Sequence, residues 1–386
     1  AGVQFNTIVD ATDNYFNLVD TGTPVDVIVV DTKDPYASDP GLYQITAGSV
    51  TVPVTLKVAA PTNDPGTVVN ASTGTKSADS SDIPVKPNEY KKMLLLLPNE
   101  TKKAGEEVYG KSGKPSNQTA GVEFTVTVEA CDDYFNRNYT ATHVSTVTTT
   151  DAYDVEPATK SLTDGSTTFK LTLVTAATQH VTALAAGLTS NTTSVLVAPN
   201  LAKRLLLLVP GEKLVPGKPP WAQANGGKDT TYKTFATGVT YYCTVNLLDD
   251  WYNIQTDTAM PEVKLVTSDP YDTPEYTYTL VQSTRIFPVN LTTAGNQTWE
   301  TKIQNGLAYV ESSSNVVVLP GDAIQLRLTM PGETATTDPN YKDDGKSGAP
   351  DTQTAGIAFK VTIESCDEKW NRSTSGQQVK VSADSV

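Results

Sequence analysis

The chain has 386 residues, 38% of them hydrophobic and 19% charged, which at roughly 100–200 residues per domain gives two to four domains and argues against disorder. Acidic residues outnumber basic ones 43 to 29, and the net charge of −14 argues against nucleic acid and anionic membrane as main partners. The balance suits a secreted or surface protein, or one that holds cations. No apolar run reaches the roughly 20 residues of a membrane-spanning helix. Two histidines leave little room for His-based catalysis or metal binding, and three cysteines make no disulfide framework.

The sequence begins at Ala1 with AGVQFNTIVDATDNYFN, and a start without Met leads us to expect a removed signal peptide or a segment of something longer. DPY follows at Asp34, then MLLLLPNE from Met93 and AGVEFTVTVEACDDYFN from Ala120. DAY at Asp151 precedes the strand-like runs TFKLTLV, HVTAL and SVLVAP. The same order returns as LLLLVPGE from Leu205, TGVTYYCTVNLLDDWYN from Thr237 and DPY at Asp269. It begins once more as LRLTMPGE from Leu326 and AGIAFKVTIESCDEKWN from Ala355. Gly2, Gly121, Gly238 and Gly356 are spaced 119, 117 and 118 residues apart, a period too long for a solenoid and right for whole domains in tandem.

The blocks place complete domains at 89–201 and 202–322, a C-terminal portion without its first strand at 1–88, and an N-terminal portion without its last strands at 323–386. The simplest reading is a window on a longer array; exchange of strands between chains is the rival. Alternation of two dominates. Val122, Phe124, Val126, Val128 and Ala130 are expected to face inward, with Glu123, Thr125, Thr127 and Glu129 outward. Val239, Tyr241, Cys243, Val245 and Leu247 repeat the inward set, as do Ile357, Phe359, Val361 and Ile363. About seven short strands per ~118 residues predict an all-β chain of Ig-like sandwiches end to end. Connections such as Asn200–Lys203 are almost without linker and predict stiff junctions. Pro98, Pro210 and Pro331 end the first apolar run and are expected to switch that strand between sheets.

Four acidic turns follow the AGV strand: Asp13–Asn17, Asp132–Asn136, Asp249–Asn253 and Asp367–Asn371. Each has Asp first, an aromatic fourth and Asn fifth. One reading is structural, with Asp and Asn capping the turn and the aromatic plugging the sandwich end. The sharper reading is Ca²⁺ held by hard oxygen ligands. If LLLLPxE is strand A and AGVxF strand B, the acidic turn is the B–C loop at one pole, and the DPY block lies at the other. Fifteen residues separate Asn136 from Asp151, on the order of 50 Å when extended. Sites would therefore join consecutive domains: Asp34 with Asp132, Asp133 and Asn136; Asp151 and Asp154 with Asp249, Asp250 and Asn253; Asp269 and Asp272 with Asp367 and Glu368.

Other signals are weaker. Gly105–Ser112 fits the phosphate-loop pattern GxxxxGK[ST], but Gly113-Lys114-Pro115 and a strand follow where a helix is required. His143 and His180 read as strand residues near each other on one sheet. Trp221, Trp251, Trp299 and Trp370 read as packing rather than a sugar platform. Cys243 reads as core, whereas Cys131 and Cys366 precede matching turns and could link neighbouring molecules. Asn70, Asn99, Asn117, Asn138, Asn191, Asn290, Asn296 and Asn371 carry the N-x-[ST] acceptor pattern, so N-glycans are an expectation.

The turn pattern V-x-A-x-D-x-x-x-N (Val128, Ala130, Asp132, Asn136), with TFKLTL and HVTA, resembles the bacterial Ig-like repeats of invasin and intimin type. That resemblance implies tandem sandwiches on a cell-surface or secreted protein. The expected function is non-enzymatic: an extracellular array that assembles with itself into a surface layer, sheath or filament. The alternative is a monomeric adhesin stalk whose binding tip lies elsewhere.

Overall fold

The computed structural model describes the chain except residues 21, 32–33, 39, 61–65, 223–225, 257, 273–275, 375, 377 and 384–386. It divides into two compact units, Ala1–Ala198 and Pro199–Val386. The fold is a series of Ig-like β-sandwiches.

In the first unit, Val- and Thr-rich segments form β1 (Gln4–Asp10), β2 (Val25–Asp31), β3 (Gly41–Ile45), β4 (Ser49–Thr55), β5 (Val69–Thr73) and β6 (Lys76–Asp79). Among the described residues β1 pairs with β4, and the facing sheet runs β3-β2-β5-β6. Antiparallel pairing puts Val9 opposite Val50 and Phe5 opposite Val54. Alternate residues then bury Val29, Val52, Val54, Leu56 and Val69 between the sheets.

The second repeat adds a first strand, β7 (Lys92–Leu96), and a small hairpin, β8 (Thr101–Lys102) with β9 (Lys111–Ser112). It continues with β10 (Gln118–Thr119), β11 (Phe124–Cys131), β12 (Val144–Thr149), β13 (Lys160–Ser161), β14 (Ser166–Leu171), β15 (Thr178–Ala185) and β16 (Asn191–Ala198). Its sheets run β14-β11-β7 and β10-β16-β15-β12-β13. The chain thus leaves one sheet after β7, loops through the hairpin, and joins the other as β10, parallel to β16. Pro98 sits at that departure, where its missing N–H cannot extend the ladder.

In the second unit the third repeat has β17 (Arg204–Leu208), β18 (Phe235–Ala236), β19 (Thr240–Leu248), β20 (Glu262–Thr267), β21 (Thr277–Thr279), β22 (Thr284–Asn290), β23 (Gly295–Ile303) and β24 (Ser313–Leu319). The sheets β17-β19-β22 and β18-β24-β23-β20-β21 repeat the same topology. Phe235, Phe287 and Trp299 fill their interior. The fourth repeat pairs β25 (Gln325–Thr329) with β28 (Thr362–Cys366), and β26 (Glu333–Ala335) with β27 (Lys346–Gly348).

The unbroken apolar run of the first strand has a two-sided cause. In the third repeat Leu205, Leu207 and Val209 enter the sandwich core. Leu206 and Leu208 face the other way, against Leu248, Tyr252, Leu214 and Trp221 under the hairpin segment. In the second repeat Leu94 and Leu96 likewise meet Cys131 and Phe135. A strand covered on both faces loses its polar alternation.

Four inward expectations fail for local reasons. Val122 and Val239 are exposed, and Val122 sits in a turn closed by its N–H on Thr119 O, before the alternation starts. Ile357 sits in the same turn, its N–H on Thr354 O, and Phe359 is exposed where the described strands of residues 323–386 build no second sheet over that face. Glu129, expected outward, is buried because its carboxylate lies 2.6 Å from the Lys102 ammonium under the hairpin.

Candidate functional site

The repeated acidic turn is built the same way four times. In the second repeat Asp132 O accepts the Phe135 N–H, and the Asp132 N–H donates to Asn136 O. The Asp132 carboxylate accepts the N–H groups of Tyr134 and Asn136, each at 2.9 Å, and the Asn136 amide donates back to it. Asp13, Asp249 and Asp367 accept the matching pairs of N–H groups, at 2.8–2.9 Å. The fourth residue takes a left-handed φ each time: 63° at Phe16, 56° at Phe135, 63° at Tyr252 and 62° at Trp370. A bulky side chain at positive φ is strained, so the Asp–Asn bonds and burial of the ring must hold it.

Burial holds it in three of the four. Phe135, Tyr252 and Trp370 are 4%, 2% and 7% exposed, whereas Phe16 is 87% exposed. Each buried ring lies flat against a hairpin glycine. A Cβ on Gly110 would come 2.0 Å from Phe135, on Gly227 2.1 Å from Tyr252, and on Gly345 2.3 Å from Trp370. The lysine after each glycine closes the arrangement. Lys111 reaches Leu95 O at 2.7 Å and Glu100 at 3.0 Å; Lys228 reaches Leu207 O at 3.2 Å and Glu212 at 2.8 Å; Lys346 reaches Leu328 O and Glu333, both at 3.0 Å. Those glutamates accept the N–H of Leu97, Val209 and Met330, the residue just before each proline. Lys111 also donates to Thr193 and Lys228 to Ser314, on the last strand of the opposite sheet. Burial draws the Lys111 ammonium below its usual pKa despite Glu100. The Gly-Lys that imitates a phosphate loop is therefore a pin tying strand to hairpin. Its sequence signal was the recurrence of Gly-Lys at 110–111, 227–228 and 345–346, after the Glu of LLLLPxE.

The turn also reaches the neighbouring repeat. In the first unit Asn136 accepts the Ala59 N–H and donates to Lys57 O, both at 2.8 Å. The same strip of backbone is held from its own side by Asp34, which accepts the N–H groups of Lys57 at 2.5 Å and Val58 at 2.8 Å. Asp132 accepts the linker N–H of Asn88 at 2.9 Å. The Gly2 position lies so close to Tyr134 that a Cβ would fall 2.1 Å from the ring. In the second unit Asn371 accepts the Ala294 N–H and donates to Thr292 O, both at 2.7 Å. Asp269 accepts the N–H groups of Thr292 and Thr293, both at 2.7 Å, and Asp367 accepts the linker N–H of Gly321 at 2.8 Å. At both of these junctions within units an Asn and an Asp hold one three-residue strip of backbone.

The sequence-derived ligand set is distributed accordingly. Asp34, Asp132, Asn136, Asp269 and Asp367 are buried and accept or exchange backbone hydrogen bonds at the two junctions within units. Asp151 accepts Val174 N–H and Thr175 N–H, and Asp249 accepts Asn200 N–H, each inside its own unit. Asn253 donates to Asp249 at 2.9 Å. Asp133 pairs with Lys91, Asp250 with Arg204, and Glu368 with Lys369. Asp154 and Asp272 accept the hydroxyls of Thr149 and Thr267. Among the described residues no three His, Cys, Asp or Glu side chains are grouped to hold a metal ion. Burial, the largest cause, raises the Asp249 pKa even against its hydrogen bonds, and it pushes Asp154 to about 6. At exposed Asp13 the bond from Asn17 holds the carboxyl below its usual value.

The remaining candidates fall into packing roles. His143 and His180 are not neighbours: the register pairs Ser145 with Ala185 and Thr149 with Val181, so they lie at opposite ends of the β12–β15 pair. Trp299 is core, and Trp370 is a turn plug whose indole N–H donates to Lys342 O at 2.7 Å. All three cysteines are free and buried, and burial pushes the Cys131 thiol up to about 12, so the thiols expected to link molecules are sealed. Of the glycan acceptors, Asn99, Asn117 and Asn296 are exposed, and Asn70, Asn138, Asn191 and Asn290 are half-buried. Asn371 is buried, with its amide nitrogen used at the junction. Among the described residues no helix is long and apolar enough to cross a membrane.

No family model matches the chain, and no curated protein does. Among solved structures it is similar to surface layer protein SbsC, domains 4–9, at 16% identity and a TM-score of 0.21, over 85% of this chain and 43% of that one. It is similar to invasin, a bacterial integrin-binding protein, at 15% identity and a TM-score of 0.24, over 86% of this chain and 62% of that one. Escherichia coli alpha-2-macroglobulin shows 13% identity and a TM-score of 0.30, over 86% of this chain and 34% of that one. The chain spans less than half of the first two structures found, SbsC and the macroglobulin. These are likenesses of fold, and no residue role is carried across from them.

Proposed function

We propose that this chain is a load-bearing segment of a bacterial cell-surface protein, an array of Ig-like domains that assembles with itself into a layer, sheath or filament. The observation that carries the reading is the junction grip, Asn136 and Asp34 on residues 57–59 and Asn371 and Asp269 on residues 292–294. Hydrogen bonds buried on both sides of a junction resist bending, because bending would expose or orphan them. A polymer of such domains transmits force and keeps a fixed repeat. The acidic surface keeps unassembled chains apart, and strand edges give lateral contacts. The likeness to a surface-layer protein agrees with this reading without establishing it.

Electron microscopy of native material from the cell surface tests it. A periodic sheet or filament whose repeat is a whole number of domains is the expected result. Separate, unordered molecules carrying a different tip would contradict assembly and favour the adhesin stalk.

A further inference from the structure

The hairpin of the third repeat differs from those of the second and fourth at two positions. After the pin lysine, the second repeat has Gly113 and Pro115 and the fourth Gly348 and Pro350, whereas the third has Thr230 and Tyr232. In the second repeat the Asn99 amide also ties the hairpin arm to Lys114 O at 3.0 Å; the third has Gly211 in that place, with no side chain to make the tie. A cleft of about 300 Å³ opens there between the hairpin and β24, with Glu212, Lys228, Thr230, Tyr232, Ser313 and Asn315 in its walls. All of these residues belong to the third repeat, whose two sheets both form.

The walls carry hydrogen-bonding groups over a neutralised floor. Lys228 spends its ammonium on Leu207 O, Glu212 and Ser314 Oγ, and its charge cancels that of Glu212, 2.8 Å away. Both bonds to Glu212 fall on Oε2, from the Val209 N–H and Lys228, which leaves Oε1 as an acceptor. Asn315 takes the Thr298 hydroxyl on its carbonyl oxygen at 2.9 Å, which leaves its NH2 group as a donor. The hydroxyls of Thr230 and Ser313 line the same cleft. Tyr232 is 47% exposed, and the buried Phe235 ring holds it from one side, with centroids 6.1 Å apart and planes inclined by 25°. The neighbouring N–H groups of Leu207, Val209 and Lys233 are spent on Ser312 Oγ, Glu212 and Pro210 O. The cleft therefore offers side chains and an aromatic face rather than a strand edge for a peptide.

We propose that this cleft binds a neutral saccharide, with one sugar ring laid on Tyr232 and its hydroxyls shared among Glu212 Oε1, the Asn315 amide and Thr230. A sugar ring has an apolar C–H face and a rim of hydroxyls that both donate and accept, which matches an aromatic plate beside mixed donors and acceptors. A volume of about 300 Å³ lies at the lower end for ligand pockets and suits the end of a sugar chain. Acidic sugars are disfavoured, because the cleft's own charges cancel and the chain as a whole carries −14. Sugar binding here does not depend on self-assembly, and either can fail without the other.

The test titrates the full chain with maltotriose, cellotriose and chitotriose by calorimetry, with trigalacturonate as the acidic counterpart, and maps the bound site by amide hydrogen exchange. Saturable binding of at least one neutral trisaccharide is expected, with exchange slowed over residues 228–232 and 313–315. Tyr232→Ala should weaken it about tenfold or more, and Tyr232→Phe, which keeps the ring, by less than about threefold. Thr230→Gly combined with Tyr232→Pro installs the residues found in the second and fourth repeats, so the hairpin still folds, and should abolish binding. Trigalacturonate should not bind. Absence of binding by all three neutral sugars, binding unchanged in the double variant, protection confined to another region, or equal binding of trigalacturonate overturns the proposal.

Discussion

The turns at Asp13 and Asp132 carry the same hydrogen bonds but opposite surroundings. Asp13 is exposed, with its carboxyl held below the usual range by Asn17, and its ring faces solvent. Asp132 is fully buried, accepts a linker N–H as well, and its ring is sealed under Gly110. The bonds inside the turn therefore form from local sequence alone. Around Asp132 a paired strand, a hairpin and the backbone of residues 57–59 convert that loop into a joint. The turn is a local device; the joint is a tertiary one.

Substitutions sharpen that contrast. Asp132→Ala leaves the N–H groups of Tyr134, Asn136 and Asn88 without their acceptor in a dry site, and should cost about 3–4 kcal/mol. Asp13→Ala should cost far less, since water replaces the lost partner at an exposed carboxylate. Hydrogen exchange resolved by repeat reads both, and equal losses would break the comparison. Lys111→Met strands the Glu100 carboxylate among apolar neighbours and should cost about 3 kcal/mol or more, read as loss of protection in residues 97–117. Gly110→Ala places a methyl inside the Phe135 ring contact at a φ of 66° and should cost about 2–3 kcal/mol. If Gly110→Ala is neutral by denaturant unfolding, the ring is not seated as described.

The smallest effect is a pH dependence. Asp154 is raised to about 6 by burial, so its protonated form favours the folded state. The stability tied to that proton is complete below the unfolded value near 3.8 and is lost as pH rises through about 6. Asp154→Asn should raise Tm at pH 7.5 and leave it nearly unchanged at pH 4. A variant that shifts Tm equally at both values would contradict the assignment.

The sandwich fold was legible because half-buried strands write their burial as alternation, as in Phe124, Val126 and Val128. The acidic turn was legible as a repeated Asp–aromatic–Asn spacing. Its partners were not, because Asn136 binds backbone atoms at Lys57 and Ala59, and backbone carries no side-chain signature. Val122 and Ile357 misled because each sits in the turn that precedes the strand, and Phe359 because alternation marks a face, not whether another sheet covers it. The Glu100–Lys111 pin was visible only as Gly-Lys recurring at uneven distances, 11, 16 and 13 residues after its glutamate, since the hairpin between them varies in length.

The direct test of the joint is amide exchange at Ala59 and Ala294 in the intact chain, with and without Asn136→Leu, in Ca²⁺ and in EDTA. Both amides should be protected in the natural chain and indifferent to the metal. The substitution should free Ala59 alone. An Ala59 amide that exchanges freely from the start, or is protected only in Ca²⁺, would contradict a junction closed by direct hydrogen bonds.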